Sequence, residues 1–215
     1  MQLAVFDLDG TITRRDTLAQ YVFGYLRRHP WRFVGLPLVL PALIGFALGL
    51  RDHGQLKSAF IRSTLRGCSR AQLEVWTAAF VPALLARGVF ADALAKVAAH
   101  REAGDKLVLM SASVDLYVPA IGRALGFAET LCTGVRWKGD RLDGALTTPN
   151  RRGEEKVYCF DALRKAHPGC KTVAYGNAGS DLPHLRVADR GVLVNGNPSA
   201  RREASAAGVS SVDWK

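Results

Sequence analysis

Asp7 and Asp9 stand two residues apart in the run Asp7-Leu8-Asp9-Gly10-Thr11, directly after the apolar stretch Leu3-Ala4-Val5-Phe6. Two carboxylates so spaced on an irregular turn can point into one site. One can attack phosphorus to give an aspartyl-phosphate, while its neighbour handles the proton of the leaving group. A plain Asp-Gly turn capping the next helix is the competing reading of these residues taken alone. Ser111 follows a second apolar run, Lys106 to Met110, and its hydroxyl with the next backbone N–H, that of Ala112, can bind phosphate oxygens. Lys156 opens a helical pattern and can neutralise charge shared by a phosphoryl group and its nucleophile. Gly176-Asn177-Ala178-Gly179-Ser180-Asp181 follows a further run, Thr172 to Tyr175, and offers amide and acidic oxygens suited to a hard cation such as magnesium. A lone serine or lysine is ordinarily just surface. In this order and at these positions the set is specific.

The elements that must position these residues follow from the apolar runs. Leu3–Phe6, Lys106–Met110, Thr172–Tyr175 and Gly191–Val194 read as buried parallel strands, each ending in polar or glycine residues. Helical patterns over Phe90–Arg101, Val114–Leu125 and Glu154–Ala166 alternate with them. The expected fold class is therefore α/β, a Rossmann-like parallel sheet covered on both faces, with ligands collecting at the carboxyl ends of the strands. Residues 14–86 break the alternation with Thr17–Arg28, a proline-interrupted apolar stretch, Gln55–Leu65 and Arg70–Leu85. That length exceeds a βα loop, so the reading is an inserted all-helical cap after the first strand, residues 14–86, over a core of residues 1–13 and 87–215. Residues 131–146 read as a hairpin turning at Lys138-Gly139-Asp140.

This constellation resembles the haloacid dehalogenase-like hydrolase superfamily, in its phosphoserine-phosphatase-like branch (subfamily IB), over nearly the whole chain. The resemblance implies that Asp7 is the nucleophile and a magnesium ligand. Asp9 would be the general acid/base, with its backbone carbonyl also on the metal. Thr11 would support the loop, and Ser111, Ala112 and Lys156 would hold phosphoryl oxygens. The metal set would be Asp7, Asp9, Asn177 and Asp181. One departure stands out: the family's fourth motif usually begins Gly-Asp, and the metal-binding acid is here Asn177, which can ligate through its carbonyl but brings no charge. The stretch Val194–Gly208, with Asn197-Pro198 ahead of a helix, also looks like that branch. Asp16 lies where phosphoserine phosphatases carry a glutamate for the substrate's amino group, but it is shorter, and capping of the helix from Thr17 is the favoured reading. The basic cap with its proline-broken apolar insert is similar to the branch's phosphatidylglycerophosphate phosphatases, so both a soluble and a lipid phosphomonoester remain as substrate.

Across 215 residues, 48% are hydrophobic and 22% charged, a globular balance that excludes disorder and fibrous repeats. Residues 14–70 carry ten basic side chains against Asp16 and Asp52, which places eight of the ten net positive charges in about a quarter of the chain. An anionic partner, or a solvated arginine-rich face, follows from that asymmetry. Phe33–Leu50 is free of charge but broken by Pro37 and Pro41. It can lie in the headgroup region of an anionic membrane as a bent pair of short helices, form the cap's own core, or span a bilayer, the last opposed by interior proline. The four cysteines form no CxxC pair, which excludes a zinc ribbon and suits reduced thiols. A secretory signal is not expected from the first residues. The expected location is the cytoplasm, extending to the inner face of the membrane. No GxxxxGK[ST], HExxH or GxSxG occurs, and the cap aromatics sit at apolar-face spacing, so nucleic acid is not an expected partner. The leading expectation is a magnesium-dependent phosphomonoester hydrolase acting through an aspartyl-phosphate. The alternatives are a phosphotransferase sharing that intermediate and a non-catalytic binding protein.

Overall fold

In the computed structural model, which describes residues 1–215, the first apolar run forms β1 (Gln2–Phe6) at the middle of a six-stranded parallel sheet. The other strands are β2 (Lys106–Val114), β3 (Glu129–Thr133), β6 (Lys171–Gly176), β7 (Arg190–Val194) and β8 (Ser210–Val212), in the order β3-β2-β1-β6-β7-β8. Between β3 and β6 in the chain lies a separate hairpin, β4 (Val135–Lys138) and β5 (Arg141–Leu146). β1 pairs with β2 on one side and β6 on the other, so the strand order reverses at its carboxyl end. A ligand crevice is expected at such a point.

Side chains alternate along the central strands and divide the interior in two. Ala4 and Phe6 face one cluster with Leu107, Leu109, Val173 and Tyr175, and the Phe6 and Tyr175 rings stack 4.4 Å apart. Leu3 and Val5 face the other, beneath α7 (Glu154–Ala166), α8 (Leu182–Val187) and α9 (Pro198–Ala206). Fully apolar strands are what a sheet buried on both faces requires.

The insertion after β1 is all-helical. It comprises α1 (Thr17–Arg28), a 3₁₀ segment (Pro30–Val39), α2 (Leu40–Ala47), α3 (His53–Leu65) and α4 (Arg70–Arg87), followed by α5 (Ala91–Glu102) of the core. Asp16, Asp52 and Ser69 cap α1, α3 and α4 by accepting backbone N–H groups of Ala19, Gln55 and Gln72. Tyr21 ties the insertion to the core by stacking its ring on Tyr117 at 4.6 Å, and its hydroxyl, 2.8 Å from Thr77 Oγ1, joins α1 to α4 within the insertion.

Three expectations are corrected. β2 does not stop at Met110 but runs to Val114, so Ser111 lies within the strand. The helix expected from Val114 begins at Val118 as α6 (Val118–Ala124), because that start puts Pro119 in the first turn, where its missing N–H costs nothing. Residues 131–133 belong to β3 at the edge of the main sheet, and the hairpin is confined to β4 and β5, which turn at Gly139-Asp140. Gly144 on β5 packs against α3 so closely that a Cβ there would lie 2.9 Å from Ile61, in a backbone conformation with φ +84° that favours glycine.

The apolar stretch is a 3₁₀ segment joined to a short α-helix, with Pro37 inside the former and Pro41 in the first turn of the latter. Gly35, Val39, Ala42 and Gly45 face the protein, and Leu36 packs against its core. Trp31, Leu38, Ile44 and Leu48 are 65%, 69%, 59% and 67% exposed. The run is therefore not simply cap core. Contiguous exposed apolar surface of this kind marks an interaction face.

Candidate active site

Asp7 follows the last residue of β1, and its N–H donates to Tyr175 O at 2.9 Å. Lys156, in the first turn of α7, reaches across the sheet edge and places Nζ 2.6 Å from Asp7 Oδ1 and 2.7 Å from Asp181 Oδ1. All three side chains are buried. Asp181 spends its second oxygen on the Asn177 and Ala178 N–H groups, each at 3.1 Å. Asp7 Oδ2 accepts only the Thr11 hydroxyl, at 3.2 Å. One lysine between two carboxylates leaves one buried negative charge uncompensated. Burial opposes every charge in this triad, yet the two carboxylates hold the Lys156 ammonium above its ordinary range. Burial also opposes the Asp181 charge, but Lys156 and the backbone donors keep it well below the usual carboxylate range. Asp7, with fewer donors, is pushed up by burial and then by the charges of Asp181 and Asp9, against the pull of Lys156.

Asp9 is held at the entrance to α1. Its Oδ1 accepts the Thr17 N–H at 2.7 Å and its Oδ2 the Ser113 hydroxyl at 2.6 Å. Burial, followed by the charge of Asp16, raises it above the ordinary carboxylate range, and those two hydrogen bonds oppose the rise. The Asp9 carbonyl accepts no hydrogen bond within the protein. Gly10 has φ +79°, and a Cβ there would lie 2.0 Å from Asn177 Nδ2, so glycine allows the two loops to meet.

Asp7, Asp9, Asp16, Ala112, Ser113, Lys156, Asn177 and Asp181 line one cavity of 190 Å³. The structure thus brings together most of the residues singled out from the sequence. Thr11 and Ser111 sit behind them, fully buried. Ser111 Oγ accepts the Ser113 N–H at 3.0 Å, and Ala112 and Ser113 form the cavity wall. Asp16 caps α1 through the Ala19 N–H and also lines the cavity.

Sequence reasoning missed Ser113 on this wall and four further polar side chains that line the cavity: His53, Lys57, Asn150 and Arg152. Lys57 extends from α3 and donates to Ala112 O and Asn150 Oδ1, each at 2.5 Å. Its membership of the basic cap was visible, but its approach to a strand 55 residues away was not. Asn150 and Arg152 had one signal, their place just ahead of Lys156. A wider cleft of 1090 Å³ adjoins the cavity, sharing His53, Asn150 and Arg152 and adding Arg51 and Arg62.

Burial lowers the Lys57 ammonium to about 8, against the raising charges of Asp9 and Asp16. Below that pH the cavity holds an extra cation, and above it the amine is neutral. Binding of an anionic ligand should therefore weaken as pH rises through about 8. A pH profile of kcat/KM should show this alkaline fall in the wild type, and Lys57→Arg, charged throughout, should remove it. An unchanged profile in the variant would remove Lys57 from ligand binding.

No group of three His, Cys, Asp or Glu side chains has metal-binding geometry. Oxygen donors are nonetheless carried by residues that line the cavity: the Asp7 carboxylate, the Asp9 carbonyl, which accepts no hydrogen bond within the protein, and the Asn177 side chain, which makes none. Hard oxygen donors beside an uncompensated buried negative charge fit magnesium. Asp7 and Asp181 alike have both oxygens hydrogen-bonded within the protein, and Asp181 also holds Lys156 and the loop carrying Asn177.

A sequence model described as haloacid dehalogenase-like hydrolase matches residues 4–186. The chain is 36% identical over 191 residues to the CicA protein of Caulobacter vibrioides, covering 87% of this chain and 83% of that one. It is 26% identical over 217 residues to a Mycobacterium tuberculosis protein described as a probable phosphatase, covering 95% and 72%. A solved structure of a Bordetella pertussis protein of unknown function superposes with a TM-score of 0.82 at 23% identity, covering 99% of this chain and 98% of that one. A solved probable phosphoserine phosphatase from Vibrio cholerae shares the fold at 16% identity with a TM-score of 0.72, covering 98% of this chain and 60% of that one. A substrate-bound phosphoserine phosphatase does so at 16% identity with a TM-score of 0.69, covering 98% and 92%.

Proposed function

The chain belongs to the haloacid dehalogenase-like hydrolases, and from that membership we propose that it is a magnesium-dependent phosphomonoester hydrolase acting through an aspartyl-phosphate. Residues 14–86 serve as the cap over a core of residues 1–13 and 87–215. The observation that carries the reading is the Lys156 bridge between Asp7 and Asp181, beside Asp9 at the end of the central strand. A buried carboxylate with one oxygen on a lysine and the other on a hydroxyl is held in place to attack.

An Asp7 oxygen bonds to phosphorus as the bond from phosphorus to the ester oxygen breaks, and Asp9 delivers a proton to the departing alkoxide. Water then attacks the phosphorus of the acyl phosphate, Asp9 takes its proton, and inorganic phosphate leaves as the Asp7 carboxylate re-forms. Lys156 offsets the added negative charge at Asp7, and the Ala112 N–H at the cavity wall receives phosphoryl oxygens, braced by Ser111 behind it. Ser113 and the Thr17 N–H fix the Asp9 carboxyl at the mouth of the cap. Asp7, the Asp9 carbonyl and Asn177 would hold magnesium, which supplies charge neutralisation for the phosphoryl group. Arg51, Arg62 and Arg152 along the adjoining cleft suit an anionic substrate. Hydrolysis of p-nitrophenyl phosphate with magnesium, lost with chelator and restored by added metal, tests this reading. Its absence on p-nitrophenyl phosphate and on a panel of soluble and lipid phosphomonoesters would overturn it.

Asn177→Asp should lower the half-saturating magnesium concentration, because a full negative charge then faces a divalent cation. A titration of activity against magnesium reads this directly. A constant or higher value would take residue 177 out of the metal's coordination.

We also place the protein in the cytoplasm with peripheral contact to anionic membrane. Pro30–Ala47 is a helical run long and apolar enough to cross a membrane by length and composition, with mean hydropathy 1.5. Its prolines and 3₁₀ geometry favour lying along the surface. Arg27, Arg28 and Arg51 are exposed beside it, each worth about 1 kcal/mol near an anionic leaflet. The protein should sediment with vesicles containing anionic lipid and be released by salt. Failure to bind at low salt would contradict this contact.

A further inference from the structure

A second cavity, of 580 Å³, opens beside the catalytic one and has the opposite character. Its walls are Phe23 of α1, Leu36 and Val39 of the 3₁₀ segment, Leu43 of α2, and Leu56 and Phe60 of α3. The two cavities adjoin: Asp16, Leu18, His53 and Lys57 line both. The Lys57 ammonium is tied to Ala112 and Asn150 of the catalytic cavity, while Asp16 has one oxygen bound to the Ala19 N–H. Leu43 is 44% exposed at the outer wall, and α2 continues from it into the uncovered apolar face at Leu40 and Ile44. A groove of this volume lies in the ordinary range for small-molecule sites, about 300–1,000 Å³.

We infer that this groove takes the single hydrocarbon tail of an amphiphilic phosphomonoester drawn from a bilayer, with its phosphate at Asp7 and its tail between α1, α2 and α3. The inference rests on the phosphatase reading and names its substrate class. An apolar groove that adjoins an anion-binding cavity matches a ligand with one charged end and one apolar end. The groove's outer side meets the apolar face flanked by arginines, so a tail can pass between bilayer and groove without crossing water.

The test is a series of n-alkyl phosphates from butyl to dodecyl, kept below their aggregation concentrations, with p-nitrophenyl phosphate as the soluble reference. kcat/KM should rise about two- to fourfold per methylene until the groove is filled, the factor expected from burying each one. In Leu43→Glu, a change at an exposed helical position, the ratio of dodecyl to butyl phosphate should collapse toward one. That ratio is internal to each protein and so does not depend on how much of the variant is active. Hexadecyl phosphate embedded in phosphatidylcholine vesicles should also be turned over by the wild type. A flat series, with p-nitrophenyl phosphate hydrolysed, overturns the tail site alone and leaves the groove to a second copy or a protein ligand. A slope that survives in Leu43→Glu puts the tail elsewhere and overturns it too, as does refusal of the embedded substrate. Hydrolysis of none of these compounds overturns the phosphatase reading beneath it.

Discussion

Asp7→Asn should lower kcat by at least about 10³-fold while leaving the fold intact. The carboxamide has nearly the shape of the carboxylate but is a far poorer nucleophile, and losing a nucleophile is among the largest single effects in catalysis. The fold should survive for a specific reason. Asp7 is buried and shares one lysine with Asp181, so a neutral amide there costs less to desolvate than the carboxylate it replaces. Lys156 keeps Asp181 as its charged partner. Thermal unfolding should therefore fall at or above the wild-type temperature. Activity within tenfold of wild type would remove Asp7 from the nucleophile's role. Loss of activity with loss of fold would show that its contribution is structural.

Lys156→Met should damage both stability and turnover. The lysine is 2% exposed and is the only cation within hydrogen-bond reach of the two buried carboxylates. Removing one member of such a group strands the rest, at a cost of about 3–5 kcal/mol. The chemical-denaturation midpoint should fall accordingly, and kcat with it. Pairing Lys156→Met with Asp181→Asn should return part of the lost stability, because only one buried carboxylate then lacks a partner. It should not return turnover, since Asp7 still lacks the cation that offsets phosphoryl charge. A single variant as stable as wild type would contradict the ion-pair geometry.

What the sequence made legible was the spine of this site. Asp7, Asp9, Lys156, Asn177 and Asp181 each sit at or near the end of an apolar run or the start of a helical one. Parallel-sheet topology gathers such positions at one edge. The rim was less legible because it depends on tertiary approach. Lys57 meets Asn150 across 93 residues of chain, and no local pattern encodes that contact. Ser113 was hidden by ending β2 too early. A serine-rich stretch looks like a strand terminus, yet pairing of Val114 with Thr133 carries the extended backbone past it. The apolar run between Trp31 and Leu50 shows the limit from the other side. Its composition was plain, but its exposed face was not, because three residues per turn in the 3₁₀ segment break the period on which helical faces are read.

The measurement closest to the central claim is direct capture of the intermediate. Wild-type protein mixed with a radiolabelled phosphomonoester and magnesium, quenched in acid within one turnover, should carry label on the peptide containing Asp7. That label should be stable in acid, released by mild alkali or hydroxylamine as an acyl phosphate is, and absent from Asp7→Asn. Turnover that proceeds with no label on the chain, or with label on any residue other than Asp7, would contradict the aspartyl-phosphate mechanism.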